Sequence, residues 1–375
     1  MDATYSWHPG AAIGKSRWPV PMCMMPDELI SSWLVRLSFA QGCDPLLLTE
    51  SVWPKSRVWT RDLDRGLSAL QITRLSVLAG VIPENIEAAG LRQIALKICM
   101  PGLGANGVWP WILAVGIKNR RRSGGLQFCP MCLQTDDKPF YRIQWRLAWH
   151  TVCARHRILL LDRCPSCGSA IQPHRLTPDK QNIAWCHSCN FDLRESQVSH
   201  QLPDSLMFQN MADKVTQAGV GAWGNKTITA PQWFAFTRYL ITILRKGTRL
   251  RHTRLDRFLM LLGANLEEIS GGATSRRFEF LSLKERADLL SFPFSVCEMG
   301  IEGFLKATQA AELGLSYLIN SHQELPDVLR EFISYSPKRE KVFRKRTSKN
   351  ALRPKPKDTV MRQWLRLQRQ KKLET

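Results

Sequence analysis

Residues 129–189 hold four pairs of metal-ligating residues, each pair separated by two residues: Cys129-Pro-Met-Cys132, Cys153-Ala-Arg-His156, Cys164-Pro-Ser-Cys167 and Cys186-His-Ser-Cys189. This stretch constrains the fold more tightly than any other. A turn of this spacing presents two soft ligands to one metal, and a tetrahedral ion such as zinc is closed by two such turns. Taken in order, the first set is Cys129, Cys132, Cys153 and His156, and the second is Cys164, Cys167, Cys186 and Cys189. Both sets supply four protein ligands and leave no position for water or substrate, so the expected cofactors are two structural Zn(2+) ions. A disulfide framework or buried free thiols would use the same cysteines, but paired knuckles suit disulfide geometry poorly and the chain shows no secretory signal. An interleaved pairing of the knuckles is the other alternative. His150, His174 and His187 lie nearby, and the Cys-x-x-His spacing favours His156 over His150.

The formal charge of +21 over 375 residues attracts polyanions, which makes nucleic acid the first partner to consider. An anionic membrane surface is the weaker reading, because no apolar run of eighteen residues and no lipidation motif occurs. Seven of the 11 cysteines belong to the knuckles, which fits a reducing cytoplasm. Cys23, Cys43, Cys99 and Cys297 are scattered and read as ordinary thiols.

These patterns predict a mainly α protein with a small β-containing zinc region, in five parts. Residues 1–25 form a Trp- and Pro-bearing arm, and residues 26–122 a helical, helix-turn-helix-like domain. Its first helix, from Asp27 to Gln41-Gly42, reads as amphipathic with an acidic first turn, and a second helix spans about 44–52. Trp109-Pro-Trp111 marks a loop packed by aromatics. Residues 123–198 form the double zinc-binding region, two adjacent ribbons in which residues 158–161 are a strand candidate. Residues 199–335 form a C-terminal helical domain; Trp233, Phe234, Phe236, Leu240 and Ile243 predict a helix buried on nearly all sides. A helix from Phe304, a turn at Gly314 and a helix from Ser316 give that domain a second helix-turn-helix pattern. Residues 336–375 are a basic tail, with 15 Lys/Arg against Glu340, Asp358 and Glu374, and residues 359–373 are a helix candidate there.

Candidate nucleic-acid or partner contacts follow from charge and helix facing. Arg120, Arg121 and Arg122 make a compact cluster just before the knuckles. Tyr317, Asn320, Ser321 and Gln323 face outward on the second helix of the C-terminal pattern. Lys338, Arg339, Arg344, Lys345 and Arg346 stand in the tail, whose binding would weaken steeply with salt. Each group has a plain counterpart reading as a solvated face.

The wording around these ligands resembles the TniQ/TnsD family of transposon target-selection proteins. The points of likeness are Pro26-Asp-Glu-Leu-Ile-Ser-Ser-Trp-Leu-Val-Arg-Leu37, Trp145-Arg-Leu-Ala-Trp149, Cys153-Ala-Arg-His156 and Leu160-Leu-Asp-Arg-Cys-Pro-Ser-Cys-Gly168. The likeness covers about residues 21–195 and is looser beyond. It implies a bacterial, cytoplasmic adaptor that binds a target DNA sequence or joins an RNA-guided CRISPR effector complex, and recruits an AAA+ ATPase regulator of transposition. RNA-guided members act as dimers, so a homodimer is implied for that mode. The alternative is a stand-alone zinc-containing helix-turn-helix transcription regulator. An enzyme is the least supported class: there is no P-loop, no HExxH and no acidic trio placed for two-metal chemistry, so no catalytic residue is assigned.

Overall fold

Helix α1, Ile30–Ala40, lies between two hydrophobic cores, which accounts for the burial of its polar residues as well as its apolar ones. Ile30, Trp33, Leu34 and Leu37 pack on one side with Leu48, Val52, Trp53, Ile72, Leu75 and Ile86. Leu29 and Val35 belong to the larger core that continues through the knuckle region. The expected solvent-facing stripe is therefore absent: Ser32, Arg36 and Ser38 are buried. The acidic first turn is corrected too, since the helix starts at Ile30 and no acid stands in that turn. Glu28 sits just before it and accepts from Arg36 Nη1 (2.5 Å), Ser32 Oγ (2.8 Å) and the Met25 amide (2.9 Å). The computed structural model describes residues 17–100, 102, 107–118, 121–200, 204–250, 253–267, 269, 276–314, 326, 329, 330, 361 and 364.

Four short helices follow: α2 Pro45–Val52, α3 Ala69–Ala79, α4 Pro83–Ala88 and α5 Arg92–Ile98. Proline opens α2 and α4, where its missing N–H is harmless. Ser68 and Gln71 form a capping box at the start of α3, and Gly80 ends it in the left-handed conformation. Strands β1 Val115–Lys118 and β2 Arg121–Gly124 then form an antiparallel hairpin.

The knuckle region, after the short helix α6 Pro130–Thr135, is mostly turns and isolated bridges. Residues 158–161 do not form the expected strand. Leu159 bridges to Val152 and Leu161 to Phe128, so neighbouring residues pair with different segments and no ladder develops. Residues 205–310 are α7 Ser205–Ala218, a hairpin of β3 Val220–Trp223 with β4 Lys226–Thr229, then α8 Ala230–Leu250, α9 Thr253–Leu261 and α10 Leu283–Ala310. As expected, α8 is buried on most sides, including Trp233, Phe234, Phe236, Leu240 and Ile243. Helix α10 breaks at Gly300 (φ 70°), so the expected helix from Phe304 is the last part of this longer element.

Residues 1–333 and 334–375 are separate compact units. In the second, Met361 and Trp364 are helical and exposed. Among the described residues, no helix is long and apolar enough to cross a membrane.

Candidate metal centres and their supports

Three of the four knuckles repeat one backbone design. The amides of Cys153, Cys164 and Cys186 donate to the carbonyls of Ile158, Ser169 and Phe191, each five residues on. The amides of Arg157, Gly168 and Asn190 return to the carbonyls of Cys153, Cys164 and Cys186. Those three returning residues all have positive φ, a conformation that suits glycine and asparagine and is unusual for arginine. Bridges Val152↔Leu159, Arg163↔Ala170 and Trp185↔Asp192 close each hairpin at the same offset. Cys129 differs: it caps α6, and its Sγ accepts from the Cys132 amide at 3.4 Å.

The tertiary structure brings Cys129, Cys132, Cys153 and His156 together, and separately Cys164, Cys167, Cys186 and Cys189, with all ligand atoms of each set within 4.8 Å of one another. In the first set Cys132 Sγ lies 3.6 Å from Cys153 Sγ and 3.3 Å from His156 Nδ1. His156 Nδ1 is 3.5 Å from Cys129 Sγ and 3.8 Å from Cys153 Sγ. In the second, Cys164 to Cys189 and Cys167 to Cys186 are each 3.7 Å. A tetrahedral ion with metal–sulfur bonds of about 2.3 Å has ligand–ligand edges of roughly 3.5–3.8 Å, so both sets fit one. All these cysteines are free thiols rather than disulfides.

The electrostatics of the first set call for a cation. Hydrogen bonds with Cys129 and Cys153, together with burial, push the Cys132 thiol far up, while bonds with Cys129 and Cys132 hold Cys153 far down. Burial pushes Cys164 up to about 12, whereas Cys167, bonded to Ser169, falls to about 6. Thiols crowded this closely do not all ionise until a metal compensates their charge. The two sets differ in access: Cys129, Cys132 and Cys153 are buried and His156 half-buried, but Cys167 and Cys189 are exposed.

The nearby histidines have other roles. His150 Nε2 and Trp149 Nε1 both meet Asp213 Oδ1 on α7, at 2.8 and 2.9 Å. His174 stacks on Trp59, and His187 stands in neither ligand set.

Buried polar side chains that no local pattern marks tie this region to the rest of the chain. Arg146 donates to Asp62 (2.6 and 3.0 Å), Asp64 (2.7 Å) and the Leu113 carbonyl (3.1 Å). Arg286 of α10 donates to the Ala148 carbonyl and to Gln127 Oε1, and Gln127 Nε2 donates to the His150 carbonyl. Asp136, which follows α6, accepts both Arg142 and Arg155. Trp111 anchors the loop that was expected to be packed by aromatics, against Trp149, Phe208, Phe234 and Phe278.

The candidate nucleic-acid residues are not gathered into one described surface. Arg121 and Arg122 lie on β2, opposite Lys118 and Ile117 of β1. Arg120, Tyr317, Asn320, Ser321, Gln323, Lys338, Arg339, Arg344, Lys345 and Arg346 lie outside the described residues.

Fold and site together define a mainly helical protein that carries in its middle two four-residue Cys/His clusters able to hold a metal ion. Within that class, the model of the TniQ family matches residues 19–160, so the chain carries a TniQ domain. The match takes in α1 to α6 and all four ligands of the first cluster. It associates the chain with target selection in transposition. No curated protein matches the chain.

Proposed function

We propose that this chain is a target-selection adaptor for DNA transposition in the bacterial cytoplasm. It engages target DNA directly, or an RNA-guided CRISPR effector complex, and recruits an AAA+ ATPase regulator. The observation that carries this reading is the TniQ domain over residues 19–160, whose C-terminal end coincides with the first ligand cluster. The net charge of +21 supports a polyanionic partner.

The reading assigns zinc to both clusters, on the basis of their thiolate-rich ligand sets and tetrahedral edges. Each ion would cross-link two distant turns and supply folding energy, with no coordination position left for chemistry. The chain's own residues then act as joints. Arg146 fixes the first ligand region to the helices before it, and Arg286 with Asp213 fixes it to those after it. Residues 26–122 and 199–335 would stand on either side of it, the latter facing the target, with residues 336–375 as a basic arm. An adaptor rather than an enzyme is the corresponding role.

Co-purification of the zinc-loaded chain with a transposon AAA+ ATPase regulator tests the proposal. Capture is expected, together with about two zinc ions per chain. Failure to capture the ATPase, with zinc content and folding intact, would refute the recruitment role.

A further inference from the structure

Helix α8 carries a concentration of arginine that none of the expected contact sites includes. Arg238, Arg245 and Arg249 are spaced by seven and four residues, which aligns them along one flank of the helix. Arg238 pairs with the buried carboxylate of Glu279, which leaves that acid committed. Arg245 Nη2 donates to the Arg276 carbonyl at 2.7 Å, and Arg249 Nε donates to the Arg245 carbonyl at 3.2 Å. The first bond brings the Arg276-Arg277 backbone against this flank, and the second folds the Arg249 side chain back along α8. Lys246 adjoins them on α8.

The like charges act on one another. Burial lowers the Arg245 pKa, and Arg249 and Arg238 lower it further, against the pull of Glu285 and Glu279. Glu285 is itself occupied as the capping box of α10, accepting from the Ser282 amide and hydroxyl. Glu279 and Glu285 are thus both engaged, and among the described residues Asp256 is a further acid near this part of α8, its Oδ1 3.8 Å from the Cβ position of Gly247. Arg249 and Arg277 are exposed there, within reach of a ligand.

We propose that the flank formed by Arg245, Arg249, Arg276 and Arg277 is a docking surface for the phosphate backbone of double-stranded DNA, independent of base sequence. Guanidinium forks match phosphate oxygens in pairs, and duplex DNA offers about one negative charge per 1.7 Å of its axis. This deepens the adaptor reading by locating a direct DNA contact in the helical part after the metal clusters, and it rests on that reading.

The test uses the full chain, zinc-loaded, with a random-sequence 30-base-pair duplex followed by fluorescence anisotropy over a salt series. The double variant R249A/R277A removes two exposed cations; R74A/R92A removes two from the surfaces of α3 and α5 as a charge-matched comparison. Loss of two phosphate contacts should flatten the slope of log affinity against log salt by about 1.8 and weaken binding roughly five-fold or more at low salt. R74A/R92A should leave the slope unchanged, and both variants should keep the wild-type melting temperature and zinc content. An unchanged slope in R249A/R277A, or an equal change in R74A/R92A, overturns the docking surface and leaves the adaptor function standing if the ATPase is still captured. Tighter binding of a single strand or RNA than of the duplex overturns the assignment to double-stranded DNA. If the wild-type chain binds no duplex, the docking surface falls; loss of ATPase capture is the separate result that removes the adaptor reading.

Discussion

Arg286, fully buried in α10, donates a hydrogen bond of 2.6 Å to the carbonyl of Ala148, 138 residues earlier in the chain. Its second donor reaches Gln127 Oε1 at 2.8 Å, and Gln127 in turn holds the His150 carbonyl at 3.0 Å. One guanidinium thereby joins the last long helix to the backbone that leads into Cys153. Burial lowers its pKa to about 10, still well above neutrality, so the charge is retained and its bonds are the strong, charge-assisted kind.

Arg286→Met keeps the bulk of the side chain and removes these donors together with the Nε bond to the Leu281 carbonyl (3.4 Å). The Ala148 carbonyl and Gln127 Oε1 would remain buried without them, which should cost roughly 2–5 kcal/mol. Urea unfolding of the zinc-loaded protein measures this, and a loss below about 1 kcal/mol would contradict the role assigned to the bond.

Arg146 presents a different case, a buried cation between Asp62 and Asp64. Arg146→Met should destabilise the chain by about 3–5 kcal/mol at neutral pH, because two carboxylates lose their countercharge. The sign of the pH effect follows from Asp64. Burial already raises its pKa above 3.8 despite the opposing pull of Arg146. The folded chain therefore binds a proton that the unfolded chain has released, and this contribution to stability is lost as pH rises through the raised folded value. Removing Arg146 extends that window upward, so the variant should lose less stability at pH 5 than at pH 8. An equal loss at both pH values would count against the assignment.

The two metal clusters should empty in order. Cys167 and Cys189 are exposed, whereas the three thiols of the first set are buried. A chelator should remove one zinc equivalent quickly and the second slowly, as read by a colorimetric zinc indicator. Cys167→Ser should abolish the fast phase and leave the slow one. A single phase in the wild-type protein would show that access does not control release.

Gly224 and Gly300 approach so closely that a Cβ on Gly224 would stand 2.8 Å from the Gly300 Cα. Both have positive φ, and the Gly224 amide donates to the Cys297 carbonyl at 3.1 Å. Gly300→Ala should cost about 2–4 kcal/mol, combining backbone strain with a clash against backbone. Gly42→Ala isolates the strain, since Gly42 has φ 71° with nothing near its Cβ position, and should cost only about 1 kcal/mol. Thermal melts of the two variants compare them directly; equal losses would remove the close approach as a cause.

What the sequence determined by itself was local. The two-residue spacing within each knuckle fixes which ligands can share a turn, and the arms between knuckles are short enough that neighbouring turns meet, giving both observed clusters. Gly168 and Asn190 even signal the left-handed returns, though Arg157 in the same position does not. Helical spacing likewise marked α1, α2 and α8, because periodicity over two or three turns is a property of the segment alone. The tertiary structure decided whatever depends on a distant neighbour. Nothing within α1 indicates that its polar face will be covered, but Ser32 Oγ receives the Tyr141 amide and Arg36 meets Glu28 in the interior. Residues 158–161 are apolar enough for a strand, yet their partners lie in two different turns. The arginines most deeply engaged, Arg146 and Arg286, look in the sequence like any of the chain's many surface cations. Only the fold supplies the carboxylates and carbonyls that make their burial possible, since a buried charge persists only where its hydrogen bonds are satisfied.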